Sequence, residues 1–163
     1  MLFRSKSNHG YRFSVIDTVK TFALTGAATF GSGNGGSEIY FNHTASAAIG
    51  GMLRIANGSG DDFQSFGAGG GTTALHGIAI DNGNGDSITH FFGSTAVNSG
   101  PLRIASGSGL FSLRVLNDTF ANAGPITIAT GEGLSHIGFE SKVATTLGGT
   151  LTVTGSSGDD TVW

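Results

Sequence analysis

The sequence predicts an all-β chain folded as a parallel β-solenoid of about six to seven coils, and three observations carry that expectation. An apolar anchor recurs at Phe30, Ile55, Ile80, Ile104, Ile128 and Val153, at spacings of 25, 25, 24, 24 and 25 residues. Glycine stands five residues after every anchor, at Gly35, Gly60, Gly85, Gly109, Gly133 and Gly158. Whole stretches repeat as well: "RIANGSG" at residues 54–60 returns as "RIASGSG" at 103–109. Internal identity in one register is the mark of stacked repeats.

Each unit opens on an apolar-x-apolar pair. Ala28, Leu53, Ile78, Leu102, Ile126 and Leu151 precede the anchors by two residues, so both side chains of the pair share one face of a short strand. Glycine then holds the third position after the anchor at Gly33, Gly58, Gly83, Gly107 and Gly131, with Ser156 in the last unit. The resulting Gly-x-Gly is expected to turn a corner through backbone angles that other residues avoid. A second strand runs from there to an aromatic column eleven residues after the anchor: Phe41, Phe66, Phe91, Val115 and Phe139. The remainder is small and polar-to-apolar, as in "GSTAVNSG", and ends on a turn glycine at Gly26, Gly51, Gly77, Gly100, Gly124 or Gly149.

The chain therefore reads as a single solenoid domain over residues 1–163. Residues 1–27 form a degenerate first coil that keeps Phe3, Gly10 and Ile16 in register, and residues 28–163 hold the regular repeats, the last coil incomplete. No unit of this size can bury its own apolar face. Parallel stacking at about 4.8 Å per coil places each anchor on its copy in the next. An antiparallel sandwich needs no such constant spacing, and 29 glycines exclude long helices. The phenylalanines are expected to stack as an internal ladder. Ser32, Asn57, Asn82, Ser106 and Thr130, two residues after their anchors, are expected to hydrogen-bond from coil to coil at the corner.

Composition narrows the function. Only 12% of residues are charged, about half the roughly 25% of an ordinary soluble domain. The net charge of −3 and the lack of a basic run argue against nucleic acid and anionic membranes as partners. No cysteine is present, which excludes disulfides and thiolate metal sites. No apolar run approaches the ~18 residues of a membrane span.

Carboxylates gather at one corner. Asp61 and Asp86 both lie six residues after their anchors, and Asp62 and Asp81 flank them. Stacking brings the like charges of Asp61 and Asp86 close together, where they bind a cation such as Ca²⁺, raise a pKa or splay into water. No cofactor is otherwise implied. Catalysis would need a base or arginine beside such carboxylates. Arg54 and Arg103 share a column interrupted by Ala79, while Glu38 and His136 share one but stand four coils apart. His9, His43, His76 and His90 fall in different columns, so no triad emerges and the chain is expected not to be an enzyme. The outward columns flanking the anchors, Arg54, Ala79, Arg103, Thr127, Thr152 and Ala56, Asp81, Ala105, Ala129, Thr154, are not a threonine array of the ice-binding kind. Sequons begin at Asn42, Asn57 and Asn117.

The segments "LRIANGSGDDF", "LRIASGSGLF" and "LTVTGSSGDDTV" resemble the glycine-rich β-strand repeats of large bacterial surface proteins and the passengers of autotransporter-type adhesins. The resemblance covers nearly the whole chain and implies an extracellular or cell-surface stalk, with cell-surface glycans as candidate partners. "GSGDDF", "GNGDSI" and "SSGDDTV" also resemble parts of RTX calcium repeats. The period here is 24–25 rather than nine, and Leu110 and Leu134 stand at the aspartate position. The expected role is structural: a shaft, filament or adhesin stalk built by coil stacking, whose regular ends pair head to tail with further copies. A calcium-dependent binding module is the alternative, and a polysaccharide-active β-helix enzyme a more remote one.

Overall fold

The chain is described by a computed structural model covering residues 2–4, 11–17, 21–43, 46–67 and 71–163. The first coil is β1 (Leu2–Arg4), β2 (Tyr11–Asp17) and β3 (Thr21–Leu24). The second is β4 (Ala28–Gly31), β5 (Ser37–His43) and β6 (Ser46–Ile49), and the third is β7 (Leu53–Ala56), β8 (Asp62–Phe66) and β9 (Thr72–Leu75). In the fourth, β10 (Ile78–Asp81) is followed by one long strand, β11 (Ser87–Asn98), and in the fifth β12 (Leu102–Ala105) by β13 (Phe111–Asn122). The sixth is β14 (Ile126–Ala129), β15 (Ser135–Phe139) and β16 (Ala144–Leu147), and β17 (Leu151–Thr154) and β18 (Asp160–Val162) begin a seventh.

Every ladder is parallel. The anchors pair in the predicted register from Phe30 through Ile55, Ile80, Ile104 and Ile128 to Val153, and the aromatic column pairs from Phe41 through Phe66, Phe91 and Val115 to Phe139. The final stretch of each unit is itself a strand, so each coil has three faces rather than two. β3, β6, β9, the second half of β11, the second half of β13 and β16 stack as the third. Threonine, alanine and valine alternate there with inward positions, which suffices for a pleated, half-buried surface. The degenerate first coil keeps Phe3 opposite Phe30. Ile16 departs from expectation: it pairs with Asn42, and Val15 takes the aromatic column opposite Phe41. The cause is length, since 27 residues separate Phe3 from Phe30. Gly10 lies outside the described residues.

The core runs through the middle of the stack. Leu53, Ile55, Ile78, Ile80, Leu102, Ile104, Ile126 and Ile128 line one wall, all buried, each contributing about 1.5–3 kcal/mol. The rings of Phe41 and Phe66 stack at 5.8 Å and 12°, and those of Phe66 and Phe91 at 5.0 Å and 25°. Where Val115 interrupts the column, Phe120 comes across from the third face, 5.5 Å from Phe91 and 6.2 Å from Phe139. Space lost in one column is thus filled from another.

The corner glycines work differently from expectation. Among the described corner glycines only Gly83 has a positive φ, at 60°. At Gly60 the obstacle is the neighbouring coil, because an added Cβ would collide with the backbone of Gly35 and Gly36. Glycine stacks on glycine because the backbones approach too closely for a side chain.

Polar ladders close the corners. Asn57 Nδ2 donates to Asn82 Oδ1 at 3.1 Å, but Asn82 Nδ2 and Ser106 Oγ, next in the column, have no partner. A second ladder closes the end of the third face. Asn98 Nδ2 donates to Asn122 Oδ1 at 2.6 Å, and both amides also donate to backbone carbonyls, Gly100 O and Gly124 O.

Candidate functional site

The four corner aspartates separate into three environments. Asp61 and Asp86 stand outward on adjacent coils and support the stack. The Asp86 N–H donates to Asp61 Oδ1 at 3.3 Å, and the Leu110 N–H donates to Asp86 Oδ1 at 2.8 Å. Asp62 turns inward and is only 3% exposed. Its Oδ1 accepts from the Ser37 N–H at 2.8 Å and from the Ser37 hydroxyl at 2.7 Å, while Oδ2 has no partner. Burial pushes this carboxyl up to about 6, with the neighbouring Asp61 charge adding to the shift against the lowering effect of the Ser37 bonds. Asp81 stands apart, accepting from the Gly83 N–H at 3.3 Å and facing a shallow cleft with Arg54 and Ala79. Among the described residues no group of three or more His, Cys, Asp or Glu comes together as a metal site.

Asp61 and Asp86 instead form one wall of a groove parallel to the solenoid axis. Its cavity of about 380 Å³ is lined by Ser37, Glu38, Asp61, Asp62, Phe63, Asp86, Ile88 and Leu110. Two outward columns make it. Asp61, Asp86 and Leu110 come from the corner, and Glu38, Phe63 and Ile88 pair in register on the second face. Glu38 meets Arg12 at 3.5 Å across an exposed surface, a pair worth little in stability. Neither Asp61 nor Asp86 has an ion pair among the described residues.

An outward aromatic strip continues from the groove. The Phe63 ring lies 5.3 Å from Tyr40 and 5.5 Å from His90, and the Arg12 guanidinium sits 4.9 Å over Tyr40. Tyr40 and His90 flank Ser65 in register. Phe63 leans between them, which fits an outward serine being only 1% exposed. Burial, and then the Arg114 charge, hold the His90 imidazole below its usual range.

The strip does not show in the 24–25-residue repeat, whose aromatic column is the inward Phe41, Phe66 and Phe91. Strand parity held the signal. Tyr40 adjoins Phe41, and Phe63 is three residues from Phe66, so each must face opposite to its neighbour. Parity also reveals a hydroxyl column on the third face: Thr21, Ser46, Thr72, Thr95 and Thr119 in register. The absence of a threonine array thus holds for the first face alone.

The remaining candidates do not converge. Arg54 and Arg103 flank Ala79 on the first face, as expected. His76 contacts Ser99 Oγ at 2.7 Å, and His136 lies 6.1 Å from the Trp163 ring. His9, and the side chains of Asn42 and His43, lie outside the described residues. Asn117 is 0% exposed, so its sequon is closed to modification in the folded chain. Comparison with protein-family models, curated proteins and solved structures returned no match.

Proposed function

We propose that this solenoid is a structural, non-enzymatic segment of an extracellular shaft, filament or adhesin stalk, and that it acts by stacking further coils on its own. One observation carries the reading. The first face stays in unbroken parallel register through seven strands, so each coil offers the next the same ladder of backbone N–H and C=O groups, and Leu151, Val162 and Trp163 are exposed. An open, sparsely charged parallel edge is a template for another coil, whether from the same chain or from a second copy. The glycine-rich period, similar to that of bacterial surface repeats, supports the extracellular setting.

Sedimentation and negative-stain microscopy across a concentration series test it with the 163-residue chain. The expected result is concentration-dependent linear growth that Leu151→Lys with Val162→Lys suppresses. A strictly monomeric wild type at high concentration overturns the stacking reading.

A further inference from the structure

We propose that the groove between Asp61, Asp86 and Leu110 on one side and Glu38, Phe63 and Ile88 on the other binds a linear amino-sugar chain, one whose pyranose rings carry protonated amines.

The groove's chemistry has two halves. Phe63, Ile88 and Leu110 are apolar and partly exposed on three successive coils. Such residues accept the C–H face of a pyranose ring, and the Tyr40 ring, tilted 37° to Phe63, and the His90 ring, edge-on to it at 79°, border that surface. The other half is anionic. Asp61 and Asp86 each commit only Oδ1 to a neighbouring coil's N–H, so each retains acceptor capacity for sugar hydroxyls and for an ammonium. Glu38 adds a third carboxylate, already paired with Arg12 at 3.5 Å, and among the described residues no lysine or arginine lines the groove itself. Asp62 also belongs to the lining, nine-tenths buried and with Oδ2 unpartnered, and adds negative potential when ionised.

This combination selects the ligand. A neutral glycan would use the rings but leave the carboxylate wall without a counter-charge. A bare cation would leave the apolar half of the groove unused. A chain carrying both apolar ring faces and ammonium groups satisfies both halves. The orientation follows from the columns, since the pairs Asp61 with Phe63 and Asp86 with Ile88 stand on two successive coils, about 4.8 Å apart, with Glu38 on the coil before and Leu110 on the coil after. The inference is independent of whether the rod assembles.

Titration calorimetry with a glucosamine tetramer at pH 6 tests it, with cellotetraose, tetralysine and Ca²⁺ alone as comparators. The Asp61→Asn, Asp86→Asn double variant keeps an oxygen acceptor for the two inter-coil N–H groups, and its melting curve reports that the fold survives. The expected result is binding of the glucosamine tetramer that weakens by about tenfold or more in the double variant, as for loss of charge-assisted hydrogen bonds. Phe63→Leu, which keeps Ser65 covered, should weaken it as well. Four outcomes overturn the proposal: no binding of the glucosamine tetramer; equal affinity for tetralysine, which would mean charge alone; unchanged affinity in the double variant; or a thermal shift by Ca²⁺ alone that the double variant abolishes.

Discussion

Ser37 and Asp62, 25 residues apart in sequence, meet inside the corner, where one carboxylate oxygen accepts both the backbone N–H and the hydroxyl of the serine. The other oxygen has no partner, and the Ser87 hydroxyl, next in the same inward column, has none either. The Tyr11 hydroxyl is likewise buried; burial, and then the Asp62 charge, push that phenol up to about 12. A negative charge in this position is held against its preference.

Asp62 therefore makes stability depend on pH. Its carboxyl binds a proton more tightly folded, at about 6, than at its ordinary value of 3.8. Its contribution is full below about pH 4 and is lost as pH rises through about 6. The loss amounts to about 2–3 kcal/mol. Asp62→Asn keeps an acceptor for Ser37 and offers N–H donors in place of Oδ2, so at pH 8 it should melt about 5 °C above the wild type. Urea titrations from pH 4 to pH 8 should show the slope flattened in the variant. A variant less stable at pH 8, or an unchanged slope, would contradict the assignment.

The asparagine ladder stops one rung early. Asn82 Nδ2 and Ser106 Oγ face each other's coil without a partner, because serine is too short to continue what Asn57 and Asn82 begin. Ser106→Asn should complete the rung and stabilise by about 0.5–1.5 kcal/mol. Chemical denaturation at fixed pH measures this, and destabilisation would show that the site lacks room.

Phe66 has the most to lose in the aromatic column, being fully buried between the rings of Phe41 and Phe91. Phe66→Ala should cost about 3–5 kcal/mol. Phe66→Asp should prevent folding, since the charge would be buried without a partner. A melting temperature within a degree or two of wild type for Phe66→Ala would refute the inward ladder.

Two glycines separate steric from conformational need. Neither Gly60 nor Gly26 has a positive φ, but a Cβ at Gly60 runs into the backbone of the coil below, whereas one at Gly26 meets nothing within 4 Å. Gly60→Ala should lower the melting temperature substantially. Gly26→Ala should leave it unchanged or raise it, worth about 0.4–1 kcal/mol through the unfolded state. Equal effects in thermal melts would show that close approach is not what glycine provides.

The stack is legible in the spacing of residues along the chain. Because each coil sits on its copy at a fixed rise, any interior position must recur at the coil length, so Ile55, Ile80 and Ile104 name one another as neighbours through their spacing alone. Inside a strand, period-2 parity carries the inward and outward assignment equally well, and Tyr40 and Phe63 are legible to that rule. Corners obey no such rule. The chain bends there, alternation resets, and nothing local in "GSGDDF" distinguishes the aspartate that enters the core from the one that faces solvent. It takes the folded coils to show that Asp62 turns inward to Ser37 while Asp61 joins Asp86, Phe63 and Ile88 along a groove. The same holds for Gly60, whose need for glycine lies in the backbone of a coil 25 residues earlier. The physical reason is shared: these residues answer to a neighbouring coil across a bend, and their surroundings exist only once the coils are stacked.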